Sequence, residues 1–200
     1  MELSEYCKDL VRKTEHRFPD KIKPIYLQAR RFLDQYIKVE QNSDKRIADI
    51  VLDIILPSIA IYHAVIKITG DADKAYDIVS RCFEDYFEGK AEGFRETCRK
   101  ALFSHMVPAI AADFIKKNYS EKDGFKLVNR SKGMKLCHID VVECPYFHYC
   151  RKYKCEELTT AFCDVADIAF DHLHRGISWD RTETLGRGDG KCNFIVSVDD

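Results

Sequence analysis

The chain has 200 residues, 46% of them apolar, which suffices for one substantial core and makes a single domain over 1–200 the expectation. Its 32 basic and 33 acidic residues nearly cancel, so no broad field gathers nucleic acid or anionic lipid, and neither is an expected partner. The longest uncharged stretch, Ile54 to Ile66, has 13 residues and is interrupted by Pro57, Ser58 and His63, too short to cross a bilayer, and MELSEYCKDLVRK lacks the apolar run of a secretory signal, so a cytoplasmic location without membrane partners is expected.

From Ser4 to about Lys117 the pattern is helical. Ser43 and Asp44 precede a run in which Ile47, Ile50, Val51, Ile54 and Ile55 recur at three- and four-residue steps, which predicts a capped helix ending near Gly70. Asp71 is placed to cap the next helix, whose apolar stripe is Ala75, Ile78, Val79, Cys82, Phe83 and Phe87. A further helix is expected over Phe94 to Lys117, bent or broken by Pro108. Residues 1–117 read as scaffold, and an apolar helix such as Ile47 to Ile66 suits self-association, so a homo-oligomer is an expected assembly.

After Lys117 the texture changes. FKLVNR and KLCHIDVVE are short, rich in β-branched residues and bounded by EKDG and RSKG, which predicts two strands. CPYFHYCRKY predicts a helix from Pro145 onward. Leu158, Phe162, Val165, Ala169 and Leu173 form the core stripe of another helix, expected to stop near Gly176 after His172 and His174. GISWDRTETL and KCNFIVSV, joined by GRGDG, predict a closing hairpin. The expected fold class is therefore α+β: a helical N-terminal half packed with a small antiparallel sheet that is crossed by a long helix and closed by a C-terminal β-hairpin. Residues 118–200 are its site-bearing portion.

Nine cysteines, an odd number without an export signal, are expected to be reduced thiols, and six of them lie between Cys137 and Cys192. Cys163, Asp167, Phe170 and His174 fall at i, i+4, i+7 and i+11, on one flank of their helix. A thiol one turn from a carboxylate suits a nucleophile beside a base, or two ligands of a soft ion; the plainer reading is a core filler beside a solvated charge. Cys144, Cys150 and Cys155, with His148 among them, lack paired C-x-x-C spacing, so no metal is expected. Cys192, Phe194, Val196 and Val198 share one face of the last strand. Arg181 near that apolar face suits a substrate carboxylate held by two parallel hydrogen bonds, or a cross-strand ion pair. His63 and His105 read as packing residues, whereas His138, His148, His172 and His174 stay open.

An ordered set of residues then suggests a family. Cys144-Pro145-Tyr146, Cys163 with Asp164 and Asp167, Arg181-Thr182-x-Thr184-Leu185, Gly188 or Gly190, and Cys192 followed by Phe194 together resemble the L-2-amino-thiazoline-4-carboxylic acid hydrolase family, over roughly Val141 to Val198. The resemblance implies an activity that opens a 2-amino-thiazoline ring by adding water to its amidine carbon, giving an N-carbamoyl-cysteine. The last hairpin is also similar to the end of the vinyl reductase small-ligand-binding domain, which implies an apolar pocket. In that module's zinc-binding members a glutamate and a cysteine precede the terminal cysteine; Arg181 and Thr184 take the corresponding positions here, which argues against a zinc site of that kind.

The expected activity is hydrolysis of a cyclic amidine, or another C–N bond, of a small carboxylate, with no cofactor. Cys163 and Asp167 are the expected catalytic residues and Arg181, Trp179, Thr184 and Tyr146 the substrate-binding ones. Cys144, Asp164, His148 and Cys192 are further candidates. The alternative is a non-catalytic small-molecule-binding domain, sensor-like, in which Phe162, Phe170, Trp179 and Phe194 line an apolar cavity.

Overall fold

A serine opens the first helix: in α1 (Glu5–Arg17) the Ser4 hydroxyl accepts the Cys7 N–H at 3.2 Å, closing one of the donors that a helix start leaves unpaired. The computed structural model describes residues 4–42 and 46–199, so the Ser43–Asp44 cap lies outside the described residues. The chain divides into two compact units, one formed by 1–86 with 149–162 and the other by 87–148 with 163–200.

In the first unit, α2 (Ile22–Gln41) packs on α3 (Leu56–Thr69). A π-helical turn, Val51–Ile55, leads into α3, and Pro57 explains it. In a regular helix the proline ring would clash with the Asp53 carbonyl and leave it without an N–H partner. Here the turn is widened, and the Asp53 carbonyl instead accepts the Ser4 hydroxyl at 3.4 Å and the Cys7 thiol at 3.6 Å. The continuous helical run Val51–Thr69 has 19 residues and is by length and composition able to cross a membrane, a correction to the 13-residue estimate from the uncharged stretch alone; 67% of it is buried in the fold. Gly70, at φ +75°, ends α3 in the left-handed conformation, and the Asp71 side chain accepts the Lys74 N–H at 2.9 Å to start α4 (Ala72–Arg99), as its sequence predicts. The buried Glu40 is neutralised by Lys152 at 2.7 Å and accepts the Tyr153 hydroxyl at 2.5 Å.

Among the described residues of this unit, one buried side-chain polar atom has no hydrogen-bond partner. The Thr159 hydroxyl is buried and unbonded, so its desolvation is not offset. The isosteric Thr159→Val change is expected to stabilise the protein by about 1 kcal/mol, read as a higher urea midpoint at unchanged slope.

The second unit holds a four-stranded antiparallel sheet in the order β1-β2-β4-β3, built from β1 (Lys126–Asn129), β2 (Leu136–Glu143), β3 (Ile177–Asp180) and β4 (Cys192–Val198). α5 (Val107–Asn118) lies against β2 and β4. Alternation along the strands directs Cys137, Ile139, Val141, Cys192, Phe194 and Val196 into the core. α6 (Pro145–Lys152) and α7 (Thr159–Phe170) start as their sequences predict, though each is divided between the units. From Cys163 onward α7 belongs to this one, where Arg95 of α4 donates to the Ile168 carbonyl at 3.0 Å.

Three boundaries differ from expectation. The Phe94–Lys117 helix is two helices: α4 stops at Arg99, and Pro108 lies in the first turn of α5, where its missing N–H breaks no bond. α7 ends at Phe170 rather than near Gly176, and His172 turns the chain at φ +51°, so His174 is off the flank that carries Cys163. The hairpin pairs only Ile177–Asp180 with β4, so Arg181 and Glu183 are not strand residues. There the Asn193 backbone N–H donates to the Glu183 carbonyl at 3.2 Å, and the Asn193 side chain accepts the Glu183 N–H at 2.8 Å and donates to the Thr182 hydroxyl at 2.9 Å.

On the sheet's other face Asp140 is fully buried beneath three cationic or titratable groups: Arg130 Nε at 2.5 Å, Lys191 Nζ at 3.1 Å and His138 Nε2 at 3.1 Å. Burial by itself raises its carboxyl, but the hydrogen bonds from Arg130 and Lys191 outweigh it and hold the group below the usual carboxylate range. A depressed folded-state value stabilises the protein above the unfolded carboxyl range and loses that stabilisation as pH falls through the folded value. Stability is therefore expected to drop below about pH 4, and Asp140→Asn to flatten that acid limb while costing about 2 kcal/mol at neutral pH, both read by urea titration.

Candidate functional site

The site lies within the second unit. From Cys163 to Phe170, α7 presents Cys163 and Asp167 one turn apart, while Trp179 lies in β3 and Arg181 just beyond its end. Trp179 Nε1 donates to one Asp167 oxygen at 3.3 Å and Arg181 Nη2 to the other at 2.5 Å. Arg181 Nη1 also donates to the Cys163 carbonyl at 2.9 Å. The guanidinium is thus tied to both ends of one helical turn. Its side chain is only 3% exposed, whereas that of Asp167 is 48% exposed. A buried cation is paired here with a half-solvated acid.

Around this pair lie three thiols and a phenol. Cys144, between β2 and α6, and Cys192, at the start of β4, are both close enough to Cys163 to affect its titration or be affected by it. Tyr119, which ends α5, faces Arg181 and all three cysteines. Burial pushes the Cys163 thiol up to about 12, reinforced by Cys192 and opposed by Arg181. Burial likewise raises Cys144, Cys192 and Tyr119. Cys192 is buried and Cys144 and Cys163 are partly so, and all three sulfurs carry their protons at neutral pH. A protonated thiol in such a place is a nucleophile only when something removes its proton as it attacks. Among the described residues no group of three or more His, Cys, Asp or Glu side chains is arranged to hold a metal ion.

The other predicted site residues have framework contacts. Thr184 is buried at a tight turn in which its N–H donates to the Asp189 carboxylate at 2.7 Å and its carbonyl accepts the Arg187 N–H at 2.9 Å. That turn aims the Leu185 N–H at Cys192 Sγ, 3.2 Å away. Asp164 faces Arg187 at 3.7 Å. Tyr146 is buried edge-on to Phe125, with ring centroids 5.9 Å apart. His148 is exposed on α6, its N–H bonded to the Cys144 carbonyl at 2.9 Å. Phe170, Trp179 and Phe194 pack on one another, the first two stacked at 4.2 Å, while Phe162 belongs to the first unit and packs there on Phe83. Tyr119 is the residue that sequence reasoning missed; it carries no motif, and only the placement of α5 against the sheet brings it to the thiols.

Comparison with curated proteins and with solved structures finds no match. The family model described as L-2-amino-thiazoline-4-carboxylic acid hydrolase matches residues 50–196, which extends the likeness well upstream of Val141. With that match over well more than half of its length, and with Cys144, Cys163, Arg181 and Cys192 gathered in one cluster, the chain belongs to the L-2-amino-thiazoline-4-carboxylic acid hydrolase family.

Proposed function

We propose that the protein hydrolyses a small cyclic amidine bearing a carboxylate, 2-amino-thiazoline-4-carboxylate or a near relative, with Cys163 as nucleophile. The family match supports the reaction class. The observation that carries the assignment is the contact of a buried guanidinium, Arg181, with both the backbone of Cys163 and the side chain of Asp167.

In this reading the half-exposed Asp167 occupies, in the free protein, the place at the guanidinium that a substrate carboxylate takes. Binding exchanges one carboxylate for the other and frees Asp167 to accept a proton. The Cys163 sulfur then adds to the amidine carbon while its proton passes to the ring nitrogen, a stronger base than a carboxylate. The ring carbon–sulfur bond breaks, its sulfur leaving as a thiol and an isothiourea remaining on Cys163. Water adds to the same carbon with Asp167 as base, and Cys163 leaves as the thiol. The net change is addition of one water, giving the N-carbamoyl-cysteine.

Purified protein incubated with 2-amino-thiazoline-4-carboxylate is expected to release a free thiol, followed by a colorimetric thiol assay, whereas the ring lacking its carboxylate is not turned over. No thiol release from the carboxylate at high protein concentration rejects this substrate. Equal turnover of the two rings rejects the role of Arg181.

A further inference from the structure

The end of α6 carries a second pair of thiols that the hydrolytic site does not use. Lys154 adopts φ +58°, in the left-handed region, and its N–H donates to the Arg151 carbonyl at 3.2 Å, while the Cys155 N–H donates to the Cys150 carbonyl at 2.9 Å. These are the two bonds of a Schellman helix end, a turn that brings together the side chains of the residues joined by the longer bond, usually an apolar pair. Here that pair is Cys150 and Cys155. The 2.9 Å bond between their backbones and the 3.5 Å approach of the Cys155 sulfur to the Cys150 carbonyl hold the two residues close together, as a disulfide, with its Cα separation of roughly 4.4–6.8 Å, requires.

The neighbours are chemically matched to the pair. His63 hydrogen-bonds the Cys155 sulfur, and its Nδ1 is engaged by the Tyr36 hydroxyl at 2.8 Å, which leaves Nε2 for the thiol. The Cys155 thiol also approaches the Cys150 carbonyl at 3.5 Å. The hydrogen bond from Cys150, working against burial and joined by His63, lowers Cys155 to about 6. In Cys7, Cys82, Cys98, Cys137, Cys144, Cys163 and Cys192 burial shifts the thiol the opposite way. Cys150 and Cys155 are both fully buried, and His63 is partly open to solvent, so a reagent little larger than water is favoured over a bulky disulfide.

We propose that Cys150 and Cys155 form a hydroperoxide-reactive dithiol, with Cys155 attacking, His63 taking its proton and Cys150 resolving the product. The Cys155 sulfur attacks one peroxide oxygen, the O–O bond breaks, and the departing oxygen leaves as water with the proton held by His63, so that sulfur is oxidised to a sulfenic acid as the peroxide is reduced. The Cys150 sulfur then attacks Cys155, and the sulfenic oxygen leaves as a second water. Two thiols and one hydrogen peroxide become one disulfide and two waters.

The test is oxidation of the folded full chain with one to a few equivalents of hydrogen peroxide, followed by denaturing alkylation and peptide mass mapping. The expected product is a bond between Cys150 and Cys155, registered as a mass loss of about 2 Da, formed before any change at Cys144, Cys163 or Cys192. Cys150→Ser is expected to stop at a sulfenic acid on Cys155 that dimedone traps, and His63→Gln to slow oxidation of Cys155 about tenfold through its lower thiolate fraction. Glutathione disulfide is expected to leave the pair reduced over the same period. A different first pair, or thiols that survive peroxide, overturns the proposal in the wild-type chain itself. Equal reaction with glutathione disulfide overturns the assignment to small hydroperoxides, and an undiminished rate in His63→Gln overturns the role of the histidine.

Discussion

Cys163→Ser is expected to lower turnover of 2-amino-thiazoline-4-carboxylate by at least about 10²-fold with KM little changed, because a serine hydroxyl is a far weaker nucleophile and a poorer leaving group at the same position. Cys144→Ser and Cys192→Ser are expected to stay within about tenfold of the parent, since both read as packing thiols around the proposed nucleophile. The pH profile separates this mechanism from one with a resident thiolate. Burial holds Cys163 up to about 12, so the free protein keeps this thiol protonated through the neutral range. If the substrate's ring nitrogen takes the proton, kcat/KM shows no rise through the ordinary cysteine range near pH 8.5; a resident thiolate formed with that ordinary value gives one. Full activity of Cys163→Ser places the attack on water and leaves Asp167 as the group to test.

The second large effect is an asymmetry in the Asp167–Arg181 pair. Arg181 is 3% exposed and Asp167 48% exposed, so removing one partner has unequal consequences. Asp167→Ala strands a buried guanidinium with only the Cys163 carbonyl to receive it, and is expected to cost about 3 kcal/mol. Arg181→Met leaves a carboxylate that water already reaches and fills much of the arginine's volume, and is expected to cost about 1–2 kcal/mol, mostly lost hydrogen bonds. The double variant is then more stable than Asp167→Ala alone, a reversal measurable by chemical denaturation. Equal costs for the two single variants, with simple additivity, would show that the acid is not what compensates the buried charge. A catalytic assay of Asp167→Asn distinguishes stability from chemistry, since it keeps the shape while removing the proposed base.

Elements whose boundaries are written in local chemistry are legible from the sequence. Gly70 and Asp71 mark the junction of α3 and α4 because one supplies a left-handed backbone and the other a side-chain acceptor, and both act within four residues. Pro145 starts α6, and the apolar alternation of β4 faces its core, for equally local reasons. Boundaries that depend on distant partners are not legible. The π turn before α3 depends on Ser4 and Cys7 meeting a carbonyl freed by Pro57, and the early end of β3 depends on the Asn193 side chain taking the Glu183 N–H.

The same division holds for the candidate site. Residue type and helical spacing by themselves place Cys163 beside Asp167, and they point to Arg181 and Cys192 as residues of the closing ribbon. Only the tertiary structure decides that Arg181 is buried against Asp167, that Cys144 and Tyr119 join the thiol cluster, and that Cys155 alone among the shifted cysteines is acidified. The physical reason is that protonation and pairing depend on desolvation and on neighbours within a few ångströms, and a linear sequence does not specify which residues far apart in the chain come that close.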